Sequence, residues 1–152
     1  MRKYLKISAA IVVIGLGVVA YFWFMPHRDV QKTKAFAEIE AQTLVNEFLT
    51  DRAKANDRYL ANDGDSKVLI ISGEVVDRTV DQSGMQVVLV KTSPTDEMGV
   101  SCTFSLESNA QAKTLTPGTA IKIKGVIRSG AEIDKDLDLV EHVVLEKCAV
   151  VK

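Results

Sequence analysis

The residues whose spacing most resembles a chemical site are carboxylates near the end of the chain. The stretch "EIDKDLD" (residues 132–138) places Asp134, Asp136 and Asp138 at alternate positions. Calcium-binding loops begin in this way, but the glycine and the distal glutamate that complete such a loop are missing. The pattern therefore favours a solvated acidic loop, and we expect no metal or cofactor. A loop that binds a cation is the alternative.

Other reactive side chains are few. The chain has two cysteines, Cys102 and Cys148, and two histidines, His27 and His142. Neither histidine has an evident nucleophile or carboxylate partner in the sequence, as a catalytic base would require. We therefore predict that the protein is not an enzyme.

Composition indicates a folded protein with an unusual amino-terminal end. The 152 residues are 47% hydrophobic and 26% charged, as in globular proteins. Residues 1–25 contain basic side chains and no acidic ones, whereas residues 63–152 contain ten basic and fourteen acidic side chains, a formal charge of −4. A basic attachment therefore precedes an acidic domain.

Residues 7–25 ("ISAAIVVIGLGVVAYFWFM") are apolar except for Ser8. As a helix they would extend about 28 Å, close to the ~30 Å hydrocarbon thickness of a bilayer. Arg2, Lys3 and Lys6 precede them, so the positive-inside rule places residues 1–6 in the cytoplasm and the rest beyond the cytoplasmic (inner) membrane, in the periplasm or its equivalent. We predict an uncleaved single-pass anchor. A cleaved signal peptide would need small residues where this segment ends in aromatic ones.

Residues 26–62 predict a helical stalk. Its apolar residues recur at spacings of three and four, as in an amphipathic helix: Ala37, Ala41, Leu44, Val45 and Phe48. Thr50 followed by Asp51 predicts the start of a second short helix, with the threonine hydroxyl as its cap and an acid in its first turn. The apolar stripe either packs against the protein's own domain, which its short length favours, or binds a partner.

Residues 63–152 change to the period of two that is typical of strands. Three alternating segments (residues 67–80, 85–92 and 99–106) precede a short helical one, and two more (119–128 and 137–151) follow it. This is the element order of an OB-fold, a small five-stranded barrel. We therefore predict a mainly β protein whose OB-fold follows the transmembrane helix and stalk.

Three glycines are placed for a tightly curved barrel. Gly73 and Gly125 interrupt the first and fourth strands, where glycine permits a bend or a close backbone approach. Gly118 follows Pro117 and turns the chain into the fourth strand.

The same strand order places the third strand beside the fifth, so Cys102 and Cys148 become neighbours. In an oxidising compartment they would form a disulfide. Two small buried thiols are the alternative.

Five stretches resemble the tRNA_anti-like family, OB-fold domains named for similarity to the anticodon-binding domain of tRNA synthetases. They are "AKANDRYL", "ISGEVVD", "GVSCTFS", "PGTAIKIKGVIRSG" and "LEKCAVV", between about residues 30 and 152. The resemblance implies an OB-fold. It implies no particular activity, because the family's members are mostly uncharacterised envelope-associated proteins and a fold does not specify a function.

Nucleic-acid binding is not expected. OB-folds that hold single strands use a basic groove and aromatic platforms, whereas the second strand has no aromatic residue and Phe104 in the third shares the inward face of Val100 and Leu106. The flanking loops are acidic, with Asp77 and Asp81 in one and the alternating aspartates in the other.

The sequence therefore predicts a membrane-anchored, extracytoplasmic OB-fold binding or scaffold module. Its expected partner is an envelope protein or a glycan. A nucleic-acid-binding module is the alternative hypothesis.

Overall fold

The computed structural model describes residues 14–19, 21, 29–62, 65–134 and 139–151. Residues 14–19 are helical. The predicted span at residues 7–25 lies largely outside the described residues, and no helix within the described part is long and apolar enough to cross a membrane.

Between residues 29 and 151 the described chain forms eight strands and three helices. The strands are β1 (Ala37–Glu40), β2 (Val68–Val80), β3 (Gln86–Lys91), β4 (Val100–Phe104), β5 (Ala120–Ser129), β6 (Glu132–Asp134), β7 (Leu139–Glu141) and β8 (Val143–Val150). The helices are α1 (Ala41–Thr50), α2 (Arg52–Tyr59) and α3 (Asn109–Ala112).

Five of these strands close into a barrel in the order β2-β3-β4-β8-β5, with β5 pairing back onto β2. The pair β4–β8 is parallel and the others are antiparallel. This order confirms the predicted OB-fold. The inward-facing apolar residues meet in one core, including Leu69, Ile71, Val75, Ile123 and Ile127, each fully buried.

The amino-terminal segment differs from the continuous helix that we expected. Residues 37–40 form a strand that pairs in parallel with residues 69–72 of β2. The reason is that β3 reaches β2 only from Glu74 onward, which leaves the first part of that β2 edge open. Edge hydrogen-bonding groups need partners, and β1 supplies them.

Helices α1 and α2 belong to the domain core. The α1 stripe of Ala41, Leu44, Val45 and Phe48 is buried against the barrel, which confirms that it packs on its own domain. The second helix begins at Asp51, whose carboxylate accepts a hydrogen bond from the Lys54 N–H at 3.0 Å. A carboxylate thus caps this helix, not the expected threonine hydroxyl.

Two strand glycines lie where neighbouring chains pass very close. A Cβ atom at Gly73 would come within 2.5 Å of the Lys91 carbonyl oxygen, and one at Gly125 within 2.5 Å of the Cys148 Sγ. Gly118 instead has φ = +87°, which favours glycine in the turn before β5.

A further close approach was missed in the sequence. At Gly130 an added Cβ would lie 2.1 Å from Cδ1 of Phe48. Gly130 therefore allows α1 to pack closely against the end of β5. The sequence gives no indication of this contact, because the two residues are far apart in the chain.

We predict that Gly125→Ala lowers the free energy of unfolding by about 1–3 kcal/mol, the usual cost of overpacking a core. The new methyl would meet the Cys148 sulfur, so Cys148→Ala should reduce that cost in the double variant. Urea unfolding of the four proteins in a double-mutant cycle measures the coupling. Additive effects of the two substitutions would contradict the close contact.

Candidate functional site

The face where OB-folds commonly hold ligands is formed here by the outward side chains of β3 and β4. Val87 pairs with Thr103, and Leu89 with Ser101. All four side chains are partly exposed and alternate with buried ones. We call these four residues the front face. These four residues are uncharged, and half of them are apolar. Lys91, the last outward residue of β3, is partly exposed next to them, and its ammonium donates to the Asp96 carbonyl at 2.7 Å.

Aromatic platforms are missing from the front face. Phe104 is 1% exposed and belongs to the core, as predicted. Leu106, which we expected on the same inward side, is instead 74% exposed. The reason is that β4 ends at Phe104, and Ser105 and Ser108 then form a hydrogen-bonded turn that redirects the chain.

The carboxylates of the β2–β3 hairpin have local roles. Asp81 accepts hydrogen bonds from the N–H groups of Ser83 and Met85, at 2.8 and 2.9 Å, and so closes the turn. Asp77 is exposed beside Leu89 and accepts a bond from the N–H of Arg78. The hairpin adds negative charge beside the front face.

The acidic connection between β5 and β8 contains a hairpin of β6 and β7. Glu132 lies opposite Glu141, and Ile133 opposite Val140. Arg52 of α2 forms an ion pair with Glu132 and offsets part of the repulsion. Sequence reasoning did not find this hairpin, because each of its strands has only three residues.

The alternating aspartates that could bind a cation in the alternative reading are only partly described. Asp134 lies in β6, while Asp136 and Asp138 lie outside the described residues. In the described ranges no three histidine, cysteine, aspartate or glutamate side chains gather as a metal site. The acidic loop therefore remains a prediction.

The opposite side of the barrel is crossed by residues 29–36, which we call the strap. Val30 is 4% exposed and packs on Val68 and Val126, a small apolar cluster outside the main core. The far end of the strap is held by the Phe36 N–H, which donates to the Val68 carbonyl at 2.7 Å. The strap is thus fixed along the outside of β2 and β5.

A polar clamp holds the strap next to this apolar cluster. The Gln31 side chain donates to the carbonyls of Lys147 (2.7 Å) and Lys124 (3.4 Å), and the Lys124 ammonium donates back to the Gln31 carbonyl at 2.8 Å. Lys147 has φ = +52° in a bulge where Lys147 and Cys148 stand opposite Gly125. The bulge displaces carbonyls from the ladder, and Gln31 binds one of them.

Basic side chains surround the strap. Lys122 and Arg128 of β5 are exposed, and Lys124 is half-buried. We use the name back face for the strap, these three residues and the exposed Lys147 of the bulge. Lys122 forms an ion pair with Glu38, and Arg128 forms one with Glu146.

The two cysteines are neighbours inside the barrel. Cys102 and Cys148 are both fully buried and carry free thiols in this structure, and the Cys102 thiol donates to the Val100 carbonyl at 3.9 Å. Burial, followed by the neighbouring Cys102 thiol, raises the pKa of the Cys148 thiol well above its usual value. The thiol form is therefore strongly favoured, so reaction requires opening of the barrel or an oxidant that acts during folding.

His142 lies beside the start of β8. Its Nδ1 accepts a hydrogen bond from the Gly99 N–H at 3.4 Å. Burial, and secondarily the charge of Lys91, lower the pKa of His142 from its usual value. The neutral imidazole therefore serves as an acceptor that joins the loop before β4 to β8.

These features define the class of the protein: a closed five-stranded OB-fold barrel with its ends covered by short helices. Comparison with protein families shows which family of OB-fold proteins the chain belongs to. The tRNA_anti-like family model matches residues 2–138, and the chain belongs to this family.

A solved structure of similar fold comes from Klebsiella pneumoniae subsp. pneumoniae MGH 78578 and is described as a "putative nucleic acid-binding lipoprotein". It is 20% identical, the match covers 75% of this chain and 91% of that chain, and the TM-score is 0.53. This likeness shows the fold alone. A comparison with curated proteins finds no match.

We predict that Cys102 and Cys148 become bridged when the protein folds in an oxidising compartment. Unfolding without reductant should then expose no titratable thiol, and reduction should lower the free energy of unfolding by up to about 4 kcal/mol, since the bond closes a long loop. Thiol titration with and without reductant measures this. In the control variant Cys102→Ser, one thiol should titrate without reductant, and two titratable thiols in the unreduced parent protein would contradict the bridge.

We also predict that protonation of His142 destabilises the fold. Because the pKa of His142 is lower in the folded state, its contribution is intact above the unfolded pKa of about 6.5 and is lost as pH falls below that value. Urea unfolding between about pH 7.5 and 5 should show a smaller pH dependence for His142→Gln than for the parent protein. Identical profiles would exclude this role.

Proposed function

We propose that this protein is a single-pass, membrane-anchored OB-fold module on the outer side of the cytoplasmic membrane, and that its front face binds another envelope protein. The observation that carries the proposal is the chemistry of that face. Val87 and Leu89 lie beside the hydroxyls of Ser101 and Thr103, without net charge. Charged side chains are depleted at the buried centre of protein contacts, and these four residues carry none.

The proposed location rests on the amino-terminal sequence. Residues 7–25 have the length and apolar character of a span, and the basic residues before them favour a cytoplasmic amino terminus. The Klebsiella protein is described as a lipoprotein. This chain would be held at a membrane by a peptide segment in place of a lipid.

Location has a direct test. Added protease should digest the domain in intact spheroplasts of cells that express the full chain, because the domain would lie outside the membrane. Lysed spheroplasts provide the positive control, and a cytoplasmic marker protein must stay intact. Protection of the domain until lysis would reverse the proposed topology.

Nucleic-acid binding is the second candidate, because the Klebsiella protein carries that description. The front face argues against it. Phosphate neutralisation normally supplies much of the affinity for nucleic acid, and stacking on aromatic rings supplies more. The front face offers neither, and Asp77 lies beside it. A glycan is less favoured than a protein for a similar reason, since no aromatic ring of the described residues lies on this face.

The front-face prediction uses Val87→Glu in the full chain, in native membranes. A photoreactive residue at position 89 should crosslink to a protein in the parent, and Val87→Glu should lower that yield by about tenfold or more, because burying an unpaired carboxylate costs over ~1.4 kcal/mol. Urea unfolding should change little, since position 87 is on the surface.

The matched control is Ala53→Glu, which adds the same charge on exposed α2. It should leave the crosslink unchanged. Equal yields in all three proteins would contradict the proposed face, and a crosslink to nucleic acid would favour the second candidate.

A further inference from the structure

The strap attaches the predicted membrane anchor to one side of the barrel. The predicted span ends at Met25, and Val30 is already held in the cluster with Val68 and Val126. Five residue steps reach at most about 18 Å even when fully extended. If residues 7–25 span the bilayer, the barrel lies next to the membrane, and the back face is its point of attachment.

Charge on the back face differs from that of the whole domain. The region of the strap, β5 and the bulge carries six basic side chains: Lys32, Lys34, Lys122, Lys124, Arg128 and Lys147. Three carboxylates form ion pairs with them, in Lys32–Asp29, Lys122–Glu38 and Arg128–Glu146, and Glu107 lies in the groove that Asp29 and Lys147 also line. Lys34, Lys124 and Lys147 belong to none of the ion pairs found among the described residues.

The rest of the domain surface is richer in acid. Residues 63–152 have a formal charge of −4 although they include four of these six basic residues. Glu132, Asp134 and Glu141 lie on the β6–β7 hairpin, and Asp77 lies beside the front face. A negatively charged surface would therefore attract the back face and repel the hairpin.

We propose that the back face rests on the anionic lipid headgroups of the membrane, with Lys34, Lys124 and Lys147 as its principal contacts. This inference depends on the proposed membrane anchoring. Basic side chains gain from proximity to anionic lipids only within about one Debye length, ~8 Å at physiological salt. The tether confines Val30 to within about 18 Å of the predicted span, so the back face can move into the range of this attraction.

The order of the strands in the barrel then determines which way the front face points relative to the membrane. In a ring of five strands, β5 adjoins β2 and β8, so the seam between β3 and β4 lies across the barrel from it. A domain that places β5 towards the lipid therefore presents the front face away from the bilayer. The membrane contact thus holds the protein-binding surface open to a partner.

The test uses the full chain in vesicles of phosphatidylcholine, with or without phosphatidylglycerol, that carry a headgroup quencher. A fluorophore is attached at Ala120→Cys on β5 or at Thr79→Cys beside the front face; both positions are exposed, whereas Cys102 and Cys148 are buried. With phosphatidylglycerol, the probe at position 120 should be quenched several-fold more than the probe at position 79.

Charge reversal tests the cause of the orientation. The double variant Lys34→Glu/Lys147→Glu should lower the ratio of quenching at position 120 to quenching at position 79 by at least about fivefold. The reason is that each basic residue near an anionic surface shifts the equilibrium between the lipid-bound and free orientations by about that factor. The control Lys54→Glu/Lys113→Glu makes the same change in net charge on exposed positions of α2 and the α3 end. It should keep the contrast.

Three outcomes would overturn the inference in distinguishable ways. Flotation of the vesicles in a density gradient shows whether the chain is bound to them. If the parent chain floats with neither type of vesicle, both the membrane anchor and the proposed orientation are excluded. If it floats but the two probes are quenched equally, or position 79 more strongly, the orientation fails and the anchor stands. If the contrast persists in phosphatidylcholine alone and in the back-face double variant, recognition of anionic lipid fails.

Discussion

The strand β2 closes the barrel by pairing with strands on both of its edges, and the enclosed core and the outer faces form only because it does. The first half of this strand pairs with β5 and its second half with β3, so a single strand joins the two sides of the sheet. To serve both neighbours it must coil sharply, and a register shift between Val75 and Asp77 accommodates the change. Gly73 allows the β3 end to approach at the same point. Without this closure there would be neither an enclosed core nor two separate outer faces.

Closure creates two local problems, and the amino-terminal segment resolves both. The part of the β2 edge that β3 does not reach is paired by β1, and the apolar side chains on α1 complete the core. On the outside, the bulge at Lys147 displaces a carbonyl that Gln31 binds, while Val30 covers two valines. The segment that follows the predicted anchor is therefore an integral part of the fold.

The two outer faces of the barrel differ because different neighbours cover them. The strap covers much of the β5 side and brings lysines with it, whereas the β3–β4 seam has no covering segment among the described residues. Apolar and hydroxyl side chains remain accessible there. The two surfaces are thus separated by the width of the barrel, as the two proposed contacts would require.

The sequence by itself determined the barrel and the inward faces of its strands. Apolar residues that alternate with polar ones have the period of a strand. The places of Ile121, Ile123 and Ile127 in this alternation predict that their side chains point into the barrel, where they are buried. Helix α1 could be predicted for a similar reason, from the spacing of Leu44, Val45 and Phe48. The neighbouring cysteines followed from strand order alone.

Tertiary structure alone decided the strand at residues 37–40, the strap and the β6–β7 hairpin. Each of these is short, so local propensity is too weak to specify it, and each is stabilised by partners distant in sequence. Val126 shows the limit plainly: its position on β5 faces outward, and it is buried only because Val30 crosses over it. The two candidate faces depend on such long-range contacts. Periodicity predicts which way a side chain points, whereas only the folded chain decides what covers it.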